Sequence, residues 1–266
     1  MSAGTTRVAE ALADASLLRH QLAGVRFAVA FGSHARGTAT DSDLDLLFVG
    51  DAPISDARKA WLAAEVKHLH HRHGLRLDEE VSYEVKLYAS SDEITRAIRF
   101  GGYDIDAAGA LTVPPVLVDP AYLNSATFKY RLIVNALTSP HIFLGGDTGP
   151  YRSYRARAAR TAALIALSLL DDANTLAVAD AVTALISDAG GTTGKDFLGY
   201  TEADRPLLYG LLQAAFTDLT TRHVLRPLDG ACFRHDQAAR RALIARIAFQ
   251  RLASTGIGRL PPPVAG

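Results

Sequence analysis

The first half of the chain alternates apolar runs with polar, turn-forming segments, a pattern typical of mixed α/β structure. Residues 25–31 (VRFAVAF) are a short β-branched and aromatic run that ends at Gly32, as expected of a buried strand. Leu62, Val66 and Leu69 recur at helical spacing and precede Gly74, a residue type favoured just after a helix C-terminus. In chain order the pattern predicts a helix over 5–23, strands over 25–31 and 44–49, a helix over 56–73, a strand region over 75–87 and further segments to about residue 118.

The second half has mostly helical spacing of its apolar residues. It predicts helices over 122–138, 151–171, 174–189, 204–222 and 235–254. Residues 140–150 (PHIFLGGDTGP) are rich in turn-forming types and predict a domain boundary. We therefore expect a domain over 1–139 with a mixed sheet backed by helices, an all-α helical-bundle domain over 151–255 and a disordered tail over 256–266. The expected fold class is an α/β (α+β) core followed by an all-α domain.

Charge and cysteine content narrow the classes of partner and compartment. Lys plus Arg and Asp plus Glu each number 28, so the formal net charge is zero and lacks the basic excess of a general polyanion binder. We expect no long nucleic acid as partner. The single cysteine, Cys232, excludes an internal disulfide, and no secretory signal or bilayer-length apolar run is found. A cytoplasmic protein without a membrane association is the expectation.

The segment that carries chemistry is 31–46 (FGSHARGTATDSDLDL). A buried strand ends in Gly32-Ser33, so the backbone can turn tightly and bring amide N–H groups and a hydroxyl near a polyphosphate. Asp43 and Asp45 lie two apart on the next predicted strand, so both carboxylates point to the same face. The alternative is an ordinary turn followed by surface acids, which the apolar strands on both sides of the segment disfavour.

Two carboxylates forced onto one half-buried face repel each other unless a cation neutralises them. Magnesium prefers oxygen ligands and bridges carboxylates to substrate phosphates. Two such ions about 4 Å apart stabilise both the attacking and the leaving oxygen of an in-line displacement. Asp43 and Asp45 are therefore predicted metal ligands, for two Mg²⁺ ions.

This segment resembles the signature of the nucleotidyltransferase superfamily related to DNA polymerase β, in which Gly-Ser, a short spacer and Asp-x-Asp on a strand follow in order. The resemblance implies a nucleotidyltransferase core in which Gly32 and Ser33 hold the triphosphate and Asp43 and Asp45 bind metal. The details around Arg36 are similar to those of small-molecule and minimal nucleotidyltransferases, which adds Arg36 to the expected nucleotide-binding residues. The family also places a third acid on a neighbouring strand.

The third acid is expected in 75–81 (LRLDEEV), after the predicted helix. If Leu75 and Leu77 face the core, Asp78 and Glu80 share the opposite face. Either one is a candidate metal ligand, Asp78 first, or the base that takes the acceptor proton. Glu84 is the alternative if the strand is longer.

Two features of the second half are similar to two-domain adenylyltransferases of the aminoglycoside or streptomycin type. The turn around Lys195 (GGTTGKD) is similar to the lysine-containing turn that meets the nucleotide phosphates there, and residues 144–146 (LGG) are similar to the interdomain turn. Lys195 is therefore expected to bind the nucleotide, with a surface lysine as the alternative. No strand is predicted before this turn, so it is not a Walker motif.

Two clusters of basic residues favour a structural interpretation. The histidines of 68–73 (HLHHRH) scatter around a helix end, so we expect a solvated helix terminus rather than a metal site. Arg152, Arg155, Arg157 and Arg160 open a predicted helix, where a solvated face is favoured over contact with phosphate.

The function favoured by the sequence is transfer of a nucleoside monophosphate, AMP from ATP by resemblance, to a hydroxyl of a small polar acceptor, with release of pyrophosphate. Two alternatives remain. One is a protein-modifying enzyme similar to antitoxin nucleotidyltransferases, and the other is a nucleotide-binding module without catalysis. A nucleic-acid polymerase ranks lower because the net charge is zero.

Overall fold

The structure is a computed structural model that describes residues 3–39, 42–77, 82–100, 104–105, 111–112, 126–170, 175–187, 199–228 and 232–235. The helices are α1 (Ala3–Gln21), α2 (Gly32–Arg36), α3 (Asp56–His73), α4 (Tyr83–Lys86), α5 (Ser91–Phe100), α6 (Ala126–Thr138), α7 (Thr148–Leu169), α8 (Val178–Ser187) and α9 (Arg205–Thr221). The strands are β1 (Val25–Phe31), β2 (Asp45–Gly50), β3 (Tyr88–Ser90), β4 (Asp104–Ile105), β5 (Leu111–Thr112), β6 (Ile142–Gly146), β7 (Thr175–Ala177), β8 (Leu225–Pro227) and β9 (Cys232–His235).

A four-stranded mixed sheet organises the first half of the chain, in the order β3-β2-β1-β6. Strand β1 pairs antiparallel with both β2 and β6, and β2 pairs parallel with β3. Strand β1 has a neighbour on each side, and its residues 27–31 are buried, so it forms the centre of the sheet. The mixed sheet predicted from the sequence is therefore confirmed.

Helices cover both faces of this sheet because successive strand residues point to opposite sides. Ala28 and Ala30 belong to a core cluster that includes apolar residues of α1 and α3. Phe27, Val29 and Phe31 belong to a second cluster, on the face covered by α5 and α6.

Local signals set the ends of α3 where the sequence predicts them. The side chain of Ser55 accepts a hydrogen bond from the Arg58 N–H at the start of the helix. Gly74 ends it with φ 61°, and its N–H bonds the carbonyl of His71. The bounds predicted for β1 and α3 agree with the structure.

Two segments that contribute to the region of the four-stranded sheet differ from the prediction. The strand expected over 75–87 is wrong, because residues 83–86 form α4 and the strand of the sheet is β3 at 88–90. Residues 142–146, expected within a domain-boundary turn, form β6 and pair with β1. The domain limits themselves stay a prediction.

The second half is not purely helical within the described residues, which corrects the all-α expectation. Helices α7, α8 and α9 share a core cluster with Leu176, Leu225 and Phe233 of a small antiparallel sheet ordered β7-β9-β8. These strands are only three or four residues long, too short for a strand pattern to show. The helix predicted over 235–254 and the tail over 256–266 lie essentially outside the described residues. No helix in the described ranges is long and apolar enough to cross a bilayer.

We expect Leu47→Ala to lower the free energy of unfolding by about 2–5 kcal/mol, because it leaves a cavity in a well-packed core. Leu47 is fully buried in the cluster between the sheet and α5 and α6. The matched control is Leu17→Ala, since Leu17 is 60% exposed on α1 and its loss should cost no more than about 0.5 kcal/mol. Urea unfolding midpoints measure both, and equal midpoints would contradict the placement of this core.

Candidate active site

A tight turn at Gly32 brings the end of β1 beside the start of β2. Gly32 has φ 76°, a left-handed conformation that favours glycine, and leads directly into α2. Phe31 pairs with Asp45 across the two strands, so the Asp45 side chain lies next to the turn. A Cβ atom at position 32 would collide with Asp45 Oδ2. Glycine is thus required here for its backbone conformation and for the space that the carboxylate occupies.

The loop between the Gly-Ser turn and the aspartates is held at both ends. Ser33 Oγ lies 2.5 Å from Ser42 Oγ, a hydrogen bond between the two hydroxyls. His34 Nε2 donates to the carbonyl of Ser42 at 3.0 Å. Ser42 directly precedes Asp43, so these bonds fix the first aspartate relative to Ser33.

Asp43 and Asp45 converge on one ammonium group. Lys86 Nζ donates to Asp43 Oδ2 at 2.9 Å and lies 3.5 Å from Asp45 Oδ1. The Lys86 side chain is 3% exposed, whereas those of Asp43 and Asp45 are 14% and 23% exposed. The two carboxylates therefore lie side by side and remain accessible to a ligand. Asp45 is the first residue of β2 and Asp43 precedes the strand, so the prediction that both lie on the strand is correct for Asp45 alone.

The charge on Lys86 is maintained by its neighbours. Burial alone would lower the pKa of the Lys86 ammonium, but the negative charges of Asp45 and Asp43 outweigh burial and raise this pKa above its ordinary value. The ring of Tyr83 lies 4.6 Å from Nζ, and its hydroxyl donates to Asp43 Oδ2 at 3.4 Å. Lys86 is thus a fixed positive charge between the two aspartates.

His70, on α3, holds the backbone segment between the two aspartates in place. It is fully buried, its Nδ1–H donates to the Val66 carbonyl at 2.7 Å, and its Nε2 accepts from the Leu44 N–H at 2.8 Å. Leu44 lies between the two aspartates in the chain, so His70 fixes the backbone that carries both carboxylates. Burial lowers the pKa of His70, which keeps the ring neutral and Nε2 free to accept.

His70 corrects the expectation that residues 68–73 are simply a solvated helix terminus. His68 and His71 are exposed, as expected, whereas His70 is not. His70 follows Val66 by four residues, which places it on the apolar face of α3. The spacing of four residues from the buried Val66 is the sequence signal that distinguishes His70 from the exposed histidines.

The structure brings together four of the predicted site residues: Gly32, Ser33, Asp43 and Asp45. Asp78, Glu80 and Lys195 lie outside the described residues, so their predicted roles stay predictions. Glu84, the alternative third acid, is described and is exposed on α4. In the part of the chain that is described, no three His, Cys, Asp or Glu residues form a group able to hold a metal ion.

Arg36, predicted to bind the nucleotide, contacts the second half of the chain. Its Nε donates to Asp204 Oδ1 at 2.7 Å, and another of its nitrogens donates to the Gly199 carbonyl at 3.2 Å. Asp204 is fully buried, and its Oδ2 accepts from the Thr201 N–H at 2.7 Å. This ion pair joins the Gly-Ser turn to the segment that precedes α9.

Lys86, like His70, is a residue of this site that sequence reasoning missed. The sequence feature that could have indicated it is a single lysine among the apolar residues Val85, Leu87 and Tyr88, at the end of the predicted strand region. A lysine in such a run is buried only when its charge is paired.

Residues 15–106 match the family model described as the nucleotidyltransferase domain. This segment includes the Gly-Ser turn, both aspartates, His70 and Lys86, and the match supports the superfamily suggested by the sequence signature. It covers about a third of the chain. No curated protein and no solved structure matches the chain significantly.

We expect His70→Leu to lower the free energy of unfolding by about 1–3 kcal/mol, because the buried Leu44 N–H loses its acceptor. His68→Leu is the control, since His68 is exposed on the same helix. Urea unfolding at neutral pH measures both, and equal losses in the two variants would contradict the role of His70.

The pH dependence of stability should also distinguish His70→Leu from the unmodified protein. Below about pH 6.5 the unfolded chain binds a proton at His70, while the native ring, whose pKa burial lowers, takes one up less readily. The contribution of His70 is therefore fully present above that pH and is lost as pH falls. Between about pH 7.5 and 5.5, His70→Leu should lose less stability than the unmodified protein. A loss as large in the variant would contradict the lowered pKa of His70.

Proposed function

We propose that this chain, with its match to nucleotidyltransferase domains over 15–106, is a metal-dependent nucleotidyltransferase. It transfers a nucleoside monophosphate from a nucleoside triphosphate to a hydroxyl of a small polar acceptor and releases pyrophosphate. The observation that carries the proposal is the convergence of Asp43 and Asp45 beside the Gly32-Ser33 turn.

The donor set of this site suits Mg²⁺. Two carboxylates, both partly exposed, meet one positive charge at 2.9 and 3.5 Å, so the site already favours a cation between them. Asp43 and Asp45 would hold the metal, two ions by the resemblance, and Asp78 would complete the ligand set. When bound, Mg²⁺ supplies neutralisation of phosphate charge and orientation of the transferred group.

The reaction joins the acceptor oxygen to the α-phosphorus while the bond from that phosphorus to pyrophosphate breaks. The proton of the acceptor hydroxyl passes to a carboxylate, for which Asp78 and Glu80 are the candidates. The chain itself contributes mainly positioning and electrostatic stabilisation, as in phosphoryl transfer generally.

Ser33 and the backbone around it are proposed to bind the triphosphate. The first amide N–H groups of a helix lack intrahelical acceptors, and α2 begins at Gly32 directly after the strand. The Ser33 hydroxyl is held near Asp43 through Ser42, so phosphate oxygens bound to Ser33 lie near the carboxylates. Lys195 is proposed to add a positive charge to the same triphosphate.

ATP as donor and a small hydroxyl-bearing acceptor are proposed from the resemblance to two-domain adenylyltransferases. Zero net charge supports a small acceptor over a nucleic acid. A cytoplasmic location fits an ATP-dependent reaction and a single cysteine.

We expect Asp43→Asn and Asp45→Asn each to abolish transfer with the fold intact, because each removes a proposed metal ligand and leaves Lys86 one paired carboxylate. Pyrophosphate release is measured with each nucleoside triphosphate and Mg²⁺ over pools of hydroxyl-bearing acceptors. Circular dichroism monitors folding. Asp56→Asn is the control, since this carboxylate is 98% exposed at the start of α3 and should leave activity unchanged. Full activity in either site variant would remove the metal argument.

One observation favours a second candidate, a nucleotide-binding module without catalysis. The Lys86 ammonium already offsets the charge of both aspartates, so the pair does not require a metal to be stable. Such a module would bind a nucleoside triphosphate and release no pyrophosphate with any acceptor.

The protein-modifying alternative gives a different result, because a protein acceptor would appear as a labelled partner after incubation with radioactive ATP.

We expect Lys86→Met to tighten Mg²⁺ binding by about tenfold, because the ammonium competes with the cation for the same carboxylates. Isothermal titration calorimetry with MgCl₂ measures the affinity. Lys67→Met is the matched control, since Lys67 is exposed, lies 5.9 Å from the Tyr83 ring centroid and carries the same charge. Equal affinities in the two variants would show that Lys86 does not compete with Mg²⁺.

A further inference from the structure

A cavity of about 330 Å³ lies between α7 and α9, in the second half of the chain. Its walls combine three arginines, Arg152, Arg155 and Arg160, with one acid, Asp218. The remaining lining residues are Leu211 and alanines of both helices. None of these residues is among those proposed to bind the metal or the triphosphate.

The positive charges of the cavity are only partly balanced. Arg160 Nε donates to Asp218 Oδ2 at 2.6 Å, and the same carboxylate oxygen lies 3.2 Å from Nε of Arg222. Neither Arg152 nor Arg155 has an acidic partner among the described residues. One acid therefore faces three cations on the cavity wall, with a fourth nearby.

The guanidinium of Arg155 is incompletely paired. Its Nε is buried and has no hydrogen-bond acceptor in the described part of the chain. A buried donor without a partner is costly, and guanidinium nitrogens match the oxygens of a phosphate group in geometry. Nε itself is closed to solvent, so an oxyanion in the cavity would meet the terminal nitrogens of the Arg155 guanidinium.

We infer that this cavity binds a small phosphate monoester, with the phosphate on Arg152 and Arg155 and an apolar group on the alanines and Leu211. The volume is at the small end of ligand pockets, so the ligand is a single small molecule. A dianion balances the two arginines that have no acid. The zero net charge of the chain disfavours a nucleic acid as the source of the phosphate.

The test is calorimetric titration of the full chain with phenyl phosphate, a dianion with one apolar ring. Benzyl alcohol supplies the ring without the charge, and inorganic phosphate supplies the charge without the ring. We expect saturable binding of one phenyl phosphate per chain, weaker binding of inorganic phosphate and none of benzyl alcohol. Arg155→Gln and Arg152→Gln should each weaken binding by about tenfold or more, the loss expected for a charge-assisted contact.

Arg157→Gln is the matched control, because Arg157 lies on the same helix, over the ring of Tyr154, and does not line the cavity. Binding should be unchanged in this variant and in Ser33→Ala. Arg152 is exposed, so Arg152→Gln carries the test if Arg155→Gln does not fold. Absence of saturable binding, equal weakening by Arg157→Gln, loss of binding only in Ser33→Ala, or displacement of phenyl phosphate by double-stranded RNA would each overturn the inference.

Discussion

Two carboxylates on the same side of one strand end repel each other, and the site can form only where that repulsion is offset. Unit charges about 4 Å apart interact by about 4 kcal/mol near a protein surface, so one ammonium that contacts both carboxylates offsets a repulsion of the same order. Lys86 Nζ meets this constraint at 2.9 and 3.5 Å from Asp43 and Asp45. The buried ammonium stays charged because both carboxylates raise the pKa of Lys86. A metal ion that enters must share these carboxylates with the ammonium, which makes Lys86 part of the electrostatics of any bound state.

The remaining contacts around the site position the backbone to which these charges are attached. His70 holds the Leu44 N–H from the α3 side, and Gly32 leaves the space that the Asp45 carboxylate fills. On the other side of the turn, Arg36 joins α2 to the buried Asp204. Breaking such a buried pair leaves an uncompensated charge, which is strongly destabilising. The Gly-Ser turn is therefore fixed both by the sheet and by the second half of the chain, although the family match ends at residue 106.

Elements whose signal is local could be predicted from the sequence, and elements that depend on distant pairing could not. The composition of residues 25–31 predicts β1, and the capping residues Ser55 and Gly74 predict the two ends of α3. Strand β6 contains two glycines with positive φ in a turn-like sequence, and it is a strand because β1 provides its hydrogen-bond partners. The Asp-x-Asp spacing predicts a shared face by geometry alone. The apolar residues beside Lys86 indicate a buried lysine, but its partners lie about forty positions away, so no local pattern shows which carboxylates pair with it.

The charge distribution of the second half bears on which acceptors suit the proposed enzyme. A polycationic aminoglycoside needs an acidic surface, because each of its ammonium groups must find a compensating charge. The wall of the cavity between α7 and α9 is instead cationic, with Arg152 and Arg155 unopposed by acids in the described residues. Asp204, a buried acid of this half, is already paired with Arg36. Of the small hydroxyl-bearing acceptors consistent with the proposed chemistry, those that are neutral or anionic fit these charges better than a polycation. The family match thus supports the nucleotidyltransferase superfamily, and the charges of the second half do not extend that support to a polycationic acceptor.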